Sequence, residues 1–529
     1  MNLNQDRKEI WQNLQQDWDI IIIGGGITGA GVFRLAVAQG LRVLLLEQHD
    51  FSSGTSSRSS KLVHGGFRYL RNRQFDITRE SVREREALLR EAPALISPLG
   101  FILPYTASKA QRREFRLGVT IYDLMAPKWQ HRRLSREAVQ SLAPQMSAPW
   151  LAGAYLYYDA VMDDSRMVLR LLSEGCRAGG TALNYARVEK LLRAQDGKVC
   201  GAALSDQSPA ALGSLELRAR VVINAAGPWS DALRAQLNQP ERLRPQRGSH
   251  LIFPRERLPL QYAVTLLHPK DKRAMFAIPW EGTTLIGTTD LDHPAPLDLG
   301  EPYCTQAEVD YILEAAAAFF PSARLKQADV LSSFAGLRPI IRGSASDPSA
   351  ESRVHVVWEE DGMITITGGK LTIFRKMAED ALRKAAPALG ISLRPLNRYY
   401  EALPKPGTAQ HSDLCADQTL YLSGRYGFAL PELLKAAKPG ELSPVQGLPT
   451  IRGEMRYAAR CEAVQHLDDL LLRRTRLGLL LPDGARAELP ALRDITREEL
   501  GWDDSRWEAE VSRYTKIYTQ FYSSAPAGN

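Results

Sequence analysis

The segment Asp19–Glu47, DIIIIGGGITGAGVFRLAVAQGLRVLLLE, reads as strand, glycine turn, helix, strand. Asp19–Ile23 is an apolar β-branched run suited to a buried parallel strand. Gly24, Gly26 and Gly29 have the G-x-G-x-x-G spacing. The first permits the tight turn, the second lets a pyrophosphate approach the backbone, and the third lets the helix pack closely on the strand. The helix opens immediately after the turn, at Ile27 and Thr28, so its free N–H groups and positive dipole end face that pyrophosphate. Leu41–Leu46 is the second strand, closed by Glu47, where a carboxylate can accept hydrogen bonds from an adenosine ribose. The unit is expected to bind a dinucleotide; whether NAD or FAD is decided elsewhere in the chain.

A chain of 529 residues exceeds one ordinary core, so two or three domains are expected. A hydrophobic content of 44% with 24% charged residues is that of a soluble-type globular protein. The net charge of +7 favours an anionic partner, either a small phosphate or an anionic lipid surface rather than nucleic acid. Five cysteines, Cys176, Cys200, Cys304, Cys415 and Cys461, are scattered without C-x-x-C spacing. Neither a disulfide framework nor a metal cluster is expected, and a reducing cytoplasm fits. No run approaches the roughly 20 apolar residues of a membrane span, and the first 18 residues lack a secretory core. Ile10, Leu14 and Trp18 recur at helical spacing, which predicts a short helix packed on the body.

After Glu47 comes a long polar loop, QHDFSSGTSSRSSKLVHGGFRYL. Thr55, Ser56, Ser57, Ser59 and Ser60 are small donors for phosphate or ribityl oxygens, and Lys61 adds charge. Residues 77–91 predict a charged helix. From Phe101 to Arg136, Lys109, Arg112, Arg113, Arg116, Lys128, Arg132, Arg133 and Arg136 alternate with aromatic and apolar residues, a composition suited to an anionic membrane surface. Thr181–Arg193 and Val199–Leu204 predict a hairpin around Asp196-Gly197. Residues 241–340 read as mainly β, interrupted by one helix with a Thr305–Glu308 capping box. Gly368-Gly369-Lys370 opens a helix reaching about Pro387, and beyond Ser392 the chain becomes helical.

Three glycine-bearing elements lie far apart: Gly24–Gly29, Asn224–Trp229 and Gly368–Lys370. NAD needs mostly the first, whereas the longer FAD needs further turns. The helix after Gly369 can aim its positive end, with Lys370, at the flavin pyrimidine ring. The motifs GTSSRSSKLVHGGFRYL, NAAGPWSD, RGSHLIFP, IPWEGTTLIGTTD, AGLRP and GGKLTIFRKMAEDAL, in this order and spacing, resemble the flavin-dependent glycerol-3-phosphate dehydrogenases from about Asp17 onward. The resemblance implies an α/β fold with an FAD-binding Rossmann-like domain, a D-amino-acid-oxidase-like β-rich substrate domain and an all-helical C-terminal domain. The expected partition is an extension at 1–16, FAD parts about 17–100, 150–235 and 335–391, substrate parts about 101–149 and 236–334, and the helical domain at 392–529.

The activity so implied is oxidation of sn-glycerol 3-phosphate to dihydroxyacetone phosphate, with hydride from C2 to flavin N5 and electrons passed to ubiquinone or menaquinone. The location implied is peripheral, on the cytoplasmic face of the bacterial inner membrane, and is compatible with a homodimer. Carried over by position, Arg68, Tyr69, Arg338 and Lys370 surround the substrate, and His64 and His250 lie in the HGG and GSH motifs. His64 is the expected general base, with Arg338 orienting and polarising the oxygen. The cofactor set comprises Gly24, Gly26, Ile27, Thr28, Gly29 and Glu47 from the first unit. Thr55, Ser56, Ser57, Ser59, Lys61, Leu62 and Gly65 come from the polar loop, Ala226 and Gly227 from NAAGPW, and Gly369, Lys370, Leu371 and Thr372 from the last turn. No metal site is expected. Ile373 and Phe374 depart from the family's usual GGKLTTYR by replacing two hydroxyl groups. Competing readings are an oxidase of glycerol phosphate using oxygen, an amine or amino-acid oxidase of the same fold, and an FAD-containing RNA-binding protein, for which no RNA module is visible.

Overall fold

The computed structural model describes residues 7–66, 75–126, 130–294, 301–343, 354–401 and 414–524. Two sheets organise them. The first has eight strands, with Trp18–Ile23 flanked in parallel by Ser214–Asn224 and Val43–Leu46, then Met363–Gly368 on one side and Thr181–Leu183 on the other. Ile20, Ile21 and Ile22 are fully buried, as a strand covered on both faces requires. On one face lie the helices Ile27–Ala38, Asp164–Arg177 and Phe374–Leu389. Their close approach depends on small residues: a side chain at Gly31 would meet Phe374, and one at Gly175 would meet Phe33. On the other face the hairpin Ala186–Arg193 with Val199–Asp206 packs with Trp11, Leu14 and Trp18, so the N-terminal helix Arg7–Gln12 docks on the body.

The second sheet has ten strands, built around Leu243–Pro254, Thr283–Gly287, Ala274–Trp280, Ala263–Leu267, Ile96–Tyr105 and Gly153–Met162. Gly153–Met162 and the start of Ile96–Tyr105, placed by the sequence with the nucleotide part, join this sheet instead. Their ten-residue antiparallel register, Ile96↔Met162 to Tyr105↔Gly153, ties them to each other rather than to the parallel strands. The helix Gln306–Phe319 covers one face with an apolar cluster of its own. Its capping box forms as the sequence predicts, Glu308 accepting from the Thr305 N–H and hydroxyl at 3.0 and 2.9 Å.

The C-terminal residues are helical, and their apolar core continues that of the second sheet. Leu470, Leu471, Leu479 and Tyr514 pack in one cluster with Phe101, Tyr157, Trp280 and Phe334. After Gly368 and Gly369 the helix does not begin at once. A 3-10 turn, Leu371–Ile373, precedes Phe374–Leu389.

Candidate active site

Between the two sheets lies a cavity of about 1380 Å³, larger than the roughly 300–1,000 Å³ of an ordinary small-molecule pocket. Its walls bring together the three distant glycine-bearing elements. Gly24, Gly26, Ile27, Thr28, Glu47, Thr55, Ser56, Ser59, Leu62, Ala226, Gly227, Gly369, Lys370, Leu371 and Thr372 all line it, together with His64, His250 and Arg338. Arg68 and Tyr69 lie outside the described residues.

At the first turn, Gly24 has a left-handed φ of +116°, and a Cβ there would fall 2.5 Å from the Ala225 carbonyl oxygen. A Cβ at Gly29 would lie 1.9 Å from the Gly24 oxygen. Gly29 therefore serves helix packing and does not line the cavity. The Glu47 carboxylate accepts from the backbone N–H of Gly25 at 2.7 Å and of His49 at 2.9 Å, bracing the turn. A carboxylate has further lone pairs for a ribose hydroxyl.

The helix Ile27–Ala38 begins at Gly26 without a side-chain cap, although Ser56 Oγ accepts from the Ile27 N–H at 2.9 Å. Such an N-terminus opening into a cavity is a ready site for a pyrophosphate. Gly368 and Gly369, both with left-handed φ, make the second turn, and the helix after it also lacks a side-chain cap. Trp229 Nε1 is buried beside Gly54 on the cavity wall and has no hydrogen-bond partner among the described residues. Two uncapped helix starts, a half-buried acidic strand end and, among the described residues, an unpartnered indole N–H fit a dinucleotide with a ring system at each end.

Lys61, Ser57 and Gly65, expected at the cofactor, do not line the cavity. Lys61 is fully buried, and its ammonium pairs with both Asp164 oxygens at 2.9 Å and donates to the Ser57 carbonyl. Burial pushes it down to about 8 even with Asp164 beside it. Ser57 is also buried and does not line the cavity. Lys61 instead braces the floor, lying over the rings of Trp280 and Phe334 at 5.2 and 4.8 Å. Gly65 lies off the wall too; its N–H donates to Tyr122 Oη at 2.8 Å and to Asp159 at 3.2 Å. Asp159 also accepts from Tyr122 and Arg85, both at 2.6 Å, which anchors the loop carrying His64.

His250 is 1% exposed and stacked on Phe334. Its Nε2 pairs with Ser60 Oγ at 2.8 Å, while Nδ1 has no partner among the described residues. Burial first, then Arg338 and Lys61, hold it well below the ordinary imidazole range, so it stays neutral. Arg338 lies over Gly248, where any Cβ would clash with its guanidinium, and donates to Asp290 Oδ1 at 3.0 Å and Thr288 Oγ1 at 3.1 Å. The loop holding Thr288 and Asp290 is fastened by Glu308, whose Oε1 accepts from Thr289 Oγ1 at 2.7 Å and Ser249 Oγ at 2.8 Å. Ser60, one of the small donors of the polar loop, lines the cavity, whereas the sequence does not single out Arg273 and Asp290. Asp290 ends the IPWEGTTLIGTTD motif, whereas Arg273 precedes the AMFAIPW strand with no local signal.

Comparison with known proteins agrees with this architecture. The family described as FAD dependent oxidoreductase matches residues 19–375, and the C-terminal domain of alpha-glycerophosphate oxidase matches residues 397–507. Glycerol-3-phosphate dehydrogenase of Mycobacterium leprae is 34% identical, covering 96% of this chain and 90% of that protein. Aerobic glycerol-3-phosphate dehydrogenase of Staphylococcus aureus is 30% identical, covering 99% of this chain and 98% of that protein. The crystal structure of glycerol-3-phosphate dehydrogenase from Bacillus halodurans complexed with FAD superposes with a TM-score of 0.78 at 29% identity, covering 100% of this chain and 99% of that one. On these matches the chain belongs to the FAD-dependent oxidoreductases, in the glycerol-3-phosphate dehydrogenase family.

Proposed function

We propose that the chain oxidises sn-glycerol 3-phosphate to dihydroxyacetone phosphate and delivers the electrons to a quinone at an anionic membrane surface. The observation that carries this reading is the meeting of His64, His250, Arg338 and Lys370 in the cavity that both glycine turns enter. FAD, when bound, accepts the hydride that leaves C2 of the substrate. The chain's own residues bind the phosphoester, orient its hydroxyl and take the hydroxyl proton. Arg338, fixed by Asp290 and Thr288, presents a planar fork to substrate oxygen. Lys370, whose Nζ reaches Ser81 Oγ at 2.7 Å, adds positive charge at the second turn.

His250 can accept a hydrogen bond at Nδ1. An imidazole depressed by burial and two cations holds a proton poorly, so the general base is His64, which takes the C2-hydroxyl proton on an imidazole nitrogen. The test is anaerobic mixing of the FAD-loaded protein with sn-glycerol 3-phosphate while flavin absorbance is followed. Rapid bleaching is expected, with colour restored faster by a soluble quinone than by air. No bleaching would reject the substrate, and faster recovery in air would make the enzyme an oxidase.

The membrane part of the reading rests on the helix Lys109–Met125. Tyr122, Val119 and Asp123 face inward, while Leu117 and Leu124 are 62% and 71% exposed on the side that also carries Arg113 and Arg116. Exposed leucines flanked by arginines suit the interface of an anionic bilayer. Among the described residues no helix is long and apolar enough to cross one. The Leu117→Asp, Leu124→Asp double variant should bind vesicles containing anionic lipid at least about tenfold more weakly, since each leucine contributes roughly 1.5–3 kcal/mol when buried. Sedimentation with vesicles measures this, and unchanged binding would move the contact to another face.

A further inference from the structure

Two arginines reach the cavity around one buried carboxylate. Arg338 pairs with Asp290 Oδ1 at 3.0 Å. Arg273 donates from Nη1 to the Asp290 backbone carbonyl at 2.9 Å, with the Asp290 carboxylate 3.6 Å away. The Asp290 side chain is 4% exposed, whereas each of the two arginine side chains keeps 20%. Both arginines line the cavity. Arg273 sits at the end of a tight turn: its backbone N–H donates to Asp271 Oδ1 at 3.1 Å and its carbonyl accepts from His268 N–H at 2.9 Å. Among the described residues its guanidinium makes that single hydrogen bond, the other carboxylate neighbour, Asp271, lying 3.7 Å from Nε. Most N–H donors of its fork therefore remain for a ligand.

We propose that Arg273 is a second anion-binding residue of the substrate pocket, joined to Arg338 through Asp290, and that the pair selects a phosphate dianion over a carboxylate. The proposal rests on the functional reading above and assigns the specificity of that site. A carboxylate carries one charge on two oxygens, and one guanidinium fork satisfies it. A phosphoester dianion spreads more charge over three terminal oxygens and needs donors from a second direction. Asp290 offsets the repulsion between the two guanidiniums and holds both in place, so little side-chain freedom is lost when the anion arrives.

The experiment compares wild-type holoenzyme with Arg273→Ala and Arg273→Lys. KM and kcat are measured for sn-glycerol 3-phosphate, and binding of inorganic phosphate and of glycerate is read from the flavin spectrum. For Arg273→Ala, KM and the phosphate dissociation constant should rise about 10- to 100-fold, the range expected for a lost charge-assisted hydrogen bond. The change in kcat should be smaller, and the preference for phosphate over glycerate should narrow. Arg273→Lys, which keeps the charge and loses the fork, should recover part of the affinity. FAD content and thermal midpoint monitor folding; should the alanine variant not fold, the lysine variant decides by the same readouts.

Unchanged KM, phosphate affinity and phosphate preference in a folded, FAD-loaded variant would overturn the role of Arg273. A wild-type flavin that sn-glycerol 3-phosphate does not bleach would overturn the functional reading instead. The inorganic-phosphate titration would still report on Arg273 in that case.

Discussion

Replacing His64 by Ala should slow flavin reduction by sn-glycerol 3-phosphate about 100- to 10,000-fold, the usual contribution of a positioned general base. The variant should still fold and hold FAD, because His64 lies between two independent anchors. On one side Leu62 and Val63 pair with Val161 and Ala160 in the second sheet. On the other, the Gly65 N–H is held by Tyr122 and Asp159, and Asp159 is held in turn by Arg85. None of these contacts uses the imidazole. Stopped-flow absorbance under anaerobic conditions separates this step from later electron transfer, and added imidazole should restore part of the rate. His250→Asn provides the contrast, since a neutral histidine that lends a hydrogen bond should cost less than the base itself. A His64→Ala enzyme reduced within about tenfold of the wild-type rate would place the base elsewhere, with His250 Nδ1 next in line despite its depressed basicity.

The parts of this site that local sequence encodes are the parts that were legible. Ile20–Ile23, the glycine spacing and Val43–Leu46 are a contiguous strand–turn–helix–strand unit, whose period and turn residues identify it without knowledge of the rest. The Thr305–Glu308 capping box is equally local, three residues apart. What the box residue does beyond its own helix is not, because Glu308 also fastens Ser249, in a strand 59 positions away, and Thr289, in the loop before Asp290.

Lys61 shows the opposite case. A lysine among serines in a phosphate-binding loop reads as a phosphate ligand, but its partner Asp164 is 103 positions away, and burial of the pair takes it off the cavity wall. Arg273 was missed for the same reason, since its meaning lies in sharing Asp290 with Arg338, which is remote from it in the chain. Chemistry carried by a motif is visible in one dimension; chemistry carried by a pairing of distant ions is visible only after folding.

The largest stability effect is expected at such a pairing. Asp50, three residues beyond Glu47, is fully buried and accepts from Arg474 at 2.7 and 2.8 Å, from Arg473, and from Asn184 at 2.9 Å. Both arginines come from the C-terminal helical segment, more than 400 positions away, so this one carboxylate fastens that segment to the nucleotide loop. Asn184 also donates to the Ala463 carbonyl at 2.8 Å, and Tyr185 Oη to Asp469 at 2.6 Å, on the same seam. Replacement of Asp50 by Ala removes the carboxylate that pairs with the buried Arg474, while Arg473 keeps Asp468 and Asp469, and should destabilise the protein by about 3–5 kcal/mol. Asp50→Asn, which keeps an acceptor, should cost less.

Urea unfolding measures the loss, and limited proteolysis should show the C-terminal segment released first. FAD should also be lost more readily, since Arg473 and Asp468 line the same cavity as Glu47 and His49. The pH dependence has a defined sign. Burial alone would raise the Asp50 carboxyl, but Arg474 and Arg473 hold it well below the ordinary range. Its contribution is therefore complete above the unfolded value of about 3.9 and is lost only as pH falls below it. The difference between wild type and Asp50→Ala should stay constant from neutral pH down to about 5 and shrink on stronger acidification. A difference under about 1 kcal/mol at neutral pH, the size of a solvated surface pair, would show that water reaches Asp50 and that the other contacts of this seam hold the C-terminal segment.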